Sequence, residues 1–441
     1  MCKQRKQLLT GSIGSLLVNV VRAGLSFVLA VVLARFMGPS EYGSYSFAFA
    51  ILMLVAIPAQ VGVPQLIVRE TAKAQASQDW ALMRGLWRWG NLAVMGFSAL
   101  GFLFAIVITV LLMQLEDNVG RLAIIVTGVA LIPLMALTVV QGACLRGLRR
   151  VVIGQLPDAF LRPIILLGMV CGYFFTSELN VSYSAELVMG MHVIAVACSL
   201  IIVSLILSKL KPKELGFVTK LHYESAVWRK AIIPLAMITG LHLINNYADL
   251  IILGVFSLDE EVGIYRAVSQ IALLVVFGLQ AINQVLHPYF ARMYKLNEMQ
   301  KLQRLVTLSA RGILILSLPP ALILMFFGGP FMEWVFGYQY ESGSLALSIL
   351  VIGQLINAAF GSVSALLNMT GHEHDTVRGL GISILVNVLL NFLLIPQWGM
   401  EGAAIATSTS LVIWNFILHK AVQKRLSIES SALGYSKRKF L

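Results

Sequence analysis

Apolar runs long enough to cross a bilayer recur from one end of this 441-residue chain to the other. The first, LLVNVVRAGLSFVLAVVLARF (16–36), carries a charge in its middle, Arg22. A spanning helix needs about 20 mostly apolar residues. It is the natural form of such a run, because lipid offers no partner for a free backbone amide. The runs do not alternate apolar and polar residues, as the strands of a membrane barrel would. Hydrophobic residues make up 58% of the chain and charged residues 12%, where a soluble domain carries roughly a quarter charged. The expected fold class is an all-α polytopic membrane protein.

Twelve transmembrane helices are expected, near 12–36, 44–66, 87–113, 121–142, 156–177, 185–208, 231–255, 263–287, 306–328, 344–367, 377–396 and 401–422. The connections alternate in charge. Lys3, Arg5 and Lys6 precede the first run, Arg146, Arg149 and Arg150 follow the fourth, and Lys209, Lys211, Lys213, Lys220, Arg229 and Lys230 lie between the sixth and seventh. Glu41, Glu116, Asp117, Glu178, Glu186, Asp259, Glu260 and Glu261 mark the other side. Basic loops stay in the cytoplasm, so both termini are expected there. This alternation accounts for the formal net charge of +12 without nucleic acid as a partner. The first run is too long for a cleavable signal core, and no small-residue cleavage site follows it. Outer loops of roughly 5 to 17 residues leave no room for an extracytoplasmic domain.

The chain also repeats itself. FMGPSEYGSY (36–45) aligns with FSLDEEVGIY (256–265) at an offset of 220, matching Phe36 with Phe256, Glu41 with Glu261, Gly43 with Gly263 and Tyr45 with Tyr265. Each half holds six runs in the same order, so parallel repeats around a central cavity are expected. The expected division is an N-terminal six-helix lobe at 1–210, a cytoplasmic linker at 211–230, a C-terminal six-helix lobe at 231–423 and a basic cytoplasmic tail at 424–441. The tail has little to bury and is expected to be disordered or to lie along anionic lipid.

Polar residues inside the runs are the candidate site. Ser15, Asn19, Arg22 and Ser26 recur at spacings of 4, 3 and 4, one helical face. Arg22 is about 15 Å deep at 1.5 Å per residue, where insertion costs about 2.5–3.5 kcal/mol. At the 220 offset, Thr239, His242 and Asn246 align with Asn19, Arg22 and Ser26, with Asn245 beside them and Asp249 one turn further. Both stripes are expected to line one hydrated cavity, joined by Arg266 and Gln270. Asp249 is expected to pair with Arg22 or Arg266, or to take up a proton or Na⁺. Arg162 is expected at the inner interface. Asn387 with Asn391, and Gln354 with Asn357, are expected to hydrogen-bond between helices.

Other chemistry finds little footing. The four cysteines, Cys2, Cys144, Cys171 and Cys198, have no metal-ligand spacing. His372, Glu373, His374 and Asp375 belong to a solvated loop, because histidines two apart do not share a helix face. No nucleotide-binding loop, nucleophile elbow or paired catalytic carboxylates occur. The chain is expected to be a non-enzyme without metal or cofactor.

The residues GSIGSLLVNVVRAGLSFVLAVVLARFMGPSEYGSYSFAFAI, VGVPQLIVRE, QGACLRGLRR and WGMEGAAIATSTS resemble the bacterial polysaccharide flippases of the Wzx type over essentially the whole chain. That resemblance places the chain in the multidrug/oligosaccharidyl-lipid/polysaccharide exporter superfamily. It implies two six-helix lobes in a V shape in the bacterial inner membrane. It also implies translocation of undecaprenyl-diphosphate-linked oligosaccharide (O-antigen, capsule or exopolysaccharide type) from the inner to the outer leaflet by alternating access. A cationic cavity is implied for the diphosphate, and Arg22 fits it on depth and face. A guanidinium matches phosphate geometry bidentately.

Two alternatives compete. A cation-coupled multidrug or small-solute antiporter of the same superfamily would want cavity carboxylates, and the first six expected helices carry none deep inside. A membrane glycan polymerase would need a large outer loop, and none is expected.

Overall fold

The structure is a computed structural model. It describes the backbone at residues 2–60, 62–115, 119–176, 183–218, 220–432 and 434, and the side chains there apart from 2–17, 108–115, 119, 233, 234, 238, 281 and 284. Among these residues all regular structure is helical, as a lipid solvent requires of single segments.

The first half contains α1 (Cys2–Val55), α2 (Ile57–Gln60), α3 (Val63–Ser77), α4 (Trp80–Leu115), α5 (Val119–Gly128), α6 (Leu131–Gly147), α7 (Val151–Leu156), α8 (Arg162–Thr176), α9 (Ala185–Leu210) and α10 (Ser225–Phe256). A π turn, Pro157–Leu161, joins α7 to α8. The second half contains α11 (Asp259–Val275), α12 (Phe277–Lys295), α13 (Met299–Phe326), α14 (Gly328–Phe336), α15 (Ser344–Phe360), α16 (Val363–Met369) and α17 (Glu373–Leu426).

Nine helical stretches among the described residues are long and apolar enough to cross a membrane. Two of them, Val18–Val55 and Glu373–Leu426, exceed one span and break at a glycine. Gly38 has φ 74°, a region open to glycine, and Pro39 starts the next arm, where its missing N–H costs nothing. Gly399 has φ 48° and follows Trp398 (φ −130°). These breaks fall where the sequence separates the first run from the second and the eleventh from the twelfth. Leu100, Leu103 and Phe104 on α4, and Leu385, Leu389 and Leu393 on α17, are each more than half exposed. Such continuous apolar faces have no place in water. The protein is a multi-pass membrane protein.

The chain forms two compact units: residues 1–37 with 44–247, and residues 38–43 with 248–441. The division falls inside α10, not in the expected 211–230 linker. The physical reason is burial. Trp228 is fully buried against Trp89 (ring centroids 5.2 Å apart) and clusters with Ala59, Val63 and Leu66. Arg84 donates to the Leu215 carbonyl (3.2 Å) and the Val218 carbonyl (2.6 Å), fastening the preceding loop to α4.

In the second unit, residues 38–43 pack on α11 through two glycines. A Cβ on Gly43 would overlap the Asp259 carbonyl, and one on Gly263 would overlap the Pro39 carbonyl. The residues aligned by the internal repeat therefore meet each other.

The chain after α17 also departs from expectation. Ile428, Ser430 and Ala432 are buried. Gln303 donates to the Glu429 carbonyl and accepts from its N–H (2.8 Å each), Arg311 donates to the Ala432 carbonyl (3.2 Å), and Ser430 Oγ meets His419 Nδ1 (2.6 Å). Residues 427–432 are a strap on the second unit, not a free basic tail. Apolar Ile428 completes a cluster with Leu302, Val306, Leu418 and Val422. Lys3, Arg5, Lys6 and Ser15 as side chains, and Glu116, Asp117, Glu178 and Lys437–Lys439, lie outside what the structure describes.

Candidate functional site

The second unit holds a buried carboxylate. Asp249, near the end of α10, is 8% exposed. Asn391 of α17 donates to its Oδ1 (2.6 Å), and Tyr265 of α11 donates to its Oδ2 (3.2 Å). Thr407, beyond the Gly399 break in α17, also donates to Oδ2. Asn391 Nδ2 further bonds Asn387 Oδ1 (3.1 Å). The expected pairing of Asp249 with an arginine is therefore not what the structure has. Neutral amide and hydroxyl donors surround the carboxylate, because α17 crosses it twice, at Asn391 and at Thr407. Asn391 Oδ1 is buried and has no partner among the described residues.

The first unit has a matching arrangement around the equivalent tyrosine. Tyr45 Oη meets His192 Nδ1 of α9 at 2.7 Å, and both are buried. Phe49 stacks on His192 with ring centroids 5.2 Å apart. In each unit the repeat-aligned tyrosine thus anchors a buried polar group deep among the helices.

Arg162 lies beside this nest. The sequence places it at the inner interface, with a helix starting near 156. The span instead begins at Val151, so Arg162 is eleven residues inside it and fourteen from Thr176. Pro157 reads in the sequence as a boundary, since it lacks an N–H. The π turn absorbs it: the Pro157 carbonyl accepts the Arg162 N–H and the Ser199 hydroxyl (3.3 Å).

The expected cavity residues divide by burial. Arg22 and Ser26 on α1 and His242 and Asn246 on α10 are exposed, with Asn19 and Asn245 partly so. Arg22 has no hydrogen-bond or ion-pair partner among the described residues. Thr239 accepts from Gln65 Nε2 (3.2 Å). Arg266 and Gln270 on α11 are partly buried, in positions facing neither the fully buried core nor open surface. His372 caps α17 and Glu373–Asp375 form its first turn, not the expected loop; Asp375 accepts from Arg425 Nε at 2.8 Å. Tyr265, Thr407, Tyr45, His192 and Arg162 escape sequence reasoning as site residues. The Tyr45–Tyr265 alignment is the one signal that marks two of them.

Helices of membrane length, with buried polar groups among them in each of two units, define a multi-pass membrane protein. The same fold occurs in solved transporters, one of them described as a member of the MOP superfamily. An inward-facing multidrug resistance MATE family transporter of that superfamily superposes with a TM-score of 0.75 over 92% of this chain and 94% of its own, at 12% identity. The lipid II flippase MurJ in an inward closed conformation superposes with a TM-score of 0.71 over 93% and 87%, at 13% identity. The sequence profile described as "Polysaccharide biosynthesis protein" matches residues 8–294, and the chain belongs to that family.

Among sequence relatives, the probable flippase AglR of Haloferax volcanii is 30% identical over 184 residues, 41% of this chain and 38% of its own. The probable low-salt glycan biosynthesis flippase Agl15 of the same organism is 25% identical over 174 residues, 40% and 37%. The capsular polysaccharide biosynthesis protein CapF of Staphylococcus aureus is 25% identical over 198 residues, 43% and 50%. The matched stretches thus span half or less of these relatives' lengths.

Proposed function

We propose that this protein is a flippase, not an enzyme. It carries undecaprenyl-diphosphate-linked oligosaccharide repeat units of the O-antigen, capsule or exopolysaccharide type from the inner to the outer leaflet. It has twelve spans, two six-helix lobes and both termini in the cytoplasm, and it sits in the bacterial inner membrane among membrane lipids. The observation that carries this reading is Arg22, exposed in mid-run with Ser26 on the same face and without a partner among the described residues. A cation there stands ready for an external anion, and a diphosphate offers two oxygens to its fork. Ser26, Asn19, His242, Asn245 and Asn246 suit sugar hydroxyls. The lipid tail stays in the bilayer, so only the head must be sheltered. The relatives' names support the same reading.

Asp249 is the coupling group in this account. A buried carboxylate without a cation is costly, and burial can be offset by a proton or by Na⁺. Asn387, Thr407 and Asn391 Oδ1, which has no partner among the described residues, supply neutral oxygens for the latter. Asp249 is too enclosed to recognise a bulky organic cation, which weighs against the multidrug alternative.

The test is a deletion strain of the native host. It should accumulate a lipid-linked oligosaccharide on the inner leaflet and lose surface glycan, and the intact gene should restore both. Unchanged surface glycan in the deletion strain would contradict the proposal.

A further inference from the structure

Arg162 is a charge without an ion-pair partner among the described residues. At eleven residues into its span, it is about 16 Å from the helix start, too deep for its side chain to reach water at the interface. Insertion at such a depth costs about 2.5–3.5 kcal/mol. Yet no carboxylate lies within ion-pairing distance among the described residues, and its one side-chain hydrogen bond there is weak, Nη1 to the Met135 sulfur at 3.9 Å. The carboxylate nearest it in sequence, Asp158 of the π turn, also acts electrostatically on Arg146 and forms no ion pair with Arg162. His192 is within electrostatic reach of Arg162 but is already engaged by Tyr45.

The backbone has been shaped to present this side chain. Pro157 and Pro163 each remove an amide donor, and the π turn between them rotates the following helix. Ser199 of α9 pins the turn by bonding the Pro157 carbonyl at 3.3 Å. Below it, α7 is drawn onto α6, since a Cβ on Gly142 would come within 2.6 Å of the Gly154 carbonyl oxygen. At about 100° per residue, Arg162 points away from the apolar exposed stripe of Ile164 and Phe175, which are 50% and 83% exposed. Arg162 as a residue is only partly buried, which leaves room for a ligand to approach it.

We infer that Arg162 is a second anion-binding residue of the first unit, which takes a phosphate oxygen of a polyprenyl diphosphate at mid-membrane depth. This rests on the flippase reading above and adds a binding residue to it. Ser199 is the positioning residue, acting through the π turn.

The experiment measures binding of undecaprenyl diphosphate, undecaprenol and phosphatidylglycerol to the purified full-length protein in detergent. Wild-type protein is expected to prefer the diphosphate to both. R162Q is expected to lose that preference by on the order of tenfold to a hundredfold, the range for a charged hydrogen-bond pair. R162K keeps the charge without the fork and should fall in between. It carries the test if R162Q does not fold. S199A should weaken the preference without removing it. A wild-type preference that survives unchanged in R162Q, or in R162K where R162Q is unfolded, overturns the role of Arg162 and leaves the flippase reading standing. Phosphatidylglycerol binding as tightly as the diphosphate overturns the assignment to the lipid carrier. No wild-type preference for diphosphate over undecaprenol overturns both readings.

Discussion

Arg22 and Asp249 are both charges in apolar surroundings, and their environments are opposite. Arg22 is exposed and unpartnered among the described residues, whereas Asp249 is enclosed by Asn391, Tyr265 and Thr407. Replacing Arg22 by Ala should therefore lower export on the order of tenfold or more at matched protein level. Replacing it by Lys should retain part of it, because charge remains while bidentate geometry is lost. Surface-glycan quantification checks both. For Asp249→Asn, the size is unchanged and the charge is gone. Transport should lose its dependence on a proton or Na⁺ gradient, as measured with imposed gradients in vesicles, while the thermal unfolding midpoint changes little. Gradient-dependent transport at the wild-type rate would make Asp249 a spectator. Of these residues, Arg22 was legible because a lone charge in an apolar run stands out. The partners of Asp249 were not, since Asn391 and Thr407 lie 142 and 158 positions away and only the folding of α17 brings them together.

At the scale of elements, helices and their breaks follow from local chemistry. Gly38–Pro39 and Trp398–Gly399 end one arm and begin the next, and the sequence shows both as gaps between apolar runs. The π turn is different. Pro157 looks like a boundary by the local rule, but Ser199 supplies a tertiary bond that no local pattern reveals. The strap after α17 was also illegible. Its apolar Ile428 gains value only against a cluster assembled from α12, α13, α16 and α17. Truncation after Leu426 should thus lower the thermal unfolding midpoint of the detergent-solubilised protein by several degrees. Ser430→Ala, which leaves His419 Nδ1 without its partner, should cost about 1 kcal/mol. A truncated protein as stable as the full chain would reduce the strap to a surface feature.

For the whole molecule, the repeat visible at an offset of 220 has a structural counterpart. Tyr45 holds His192 in one unit, and Tyr265 holds Asp249 in the other. The sequence expectation of two similar halves matches that pairing, but their boundary moved. Aromatic burial at Trp228 and the loop clamp by Arg84 attach the start of α10 to the first unit, which charge counting along a linker could not foresee. Charge alternation predicts that a reporter active only in the cytoplasm works when fused after the last residue, and that one active only outside the membrane does not. The reverse result would overturn the orientation.

The central claim is that this chain moves a lipid-linked oligosaccharide between leaflets. The most direct measurement places the purified protein in vesicles loaded on one leaflet with a fluorescent prenyl-diphosphate oligosaccharide, and follows its exposure to a membrane-impermeant quencher on the other. Wild-type protein should speed that exposure well beyond protein-free vesicles, with Arg22→Ala close to the background. Exposure no faster than in protein-free vesicles, from protein shown to be folded, would contradict the account.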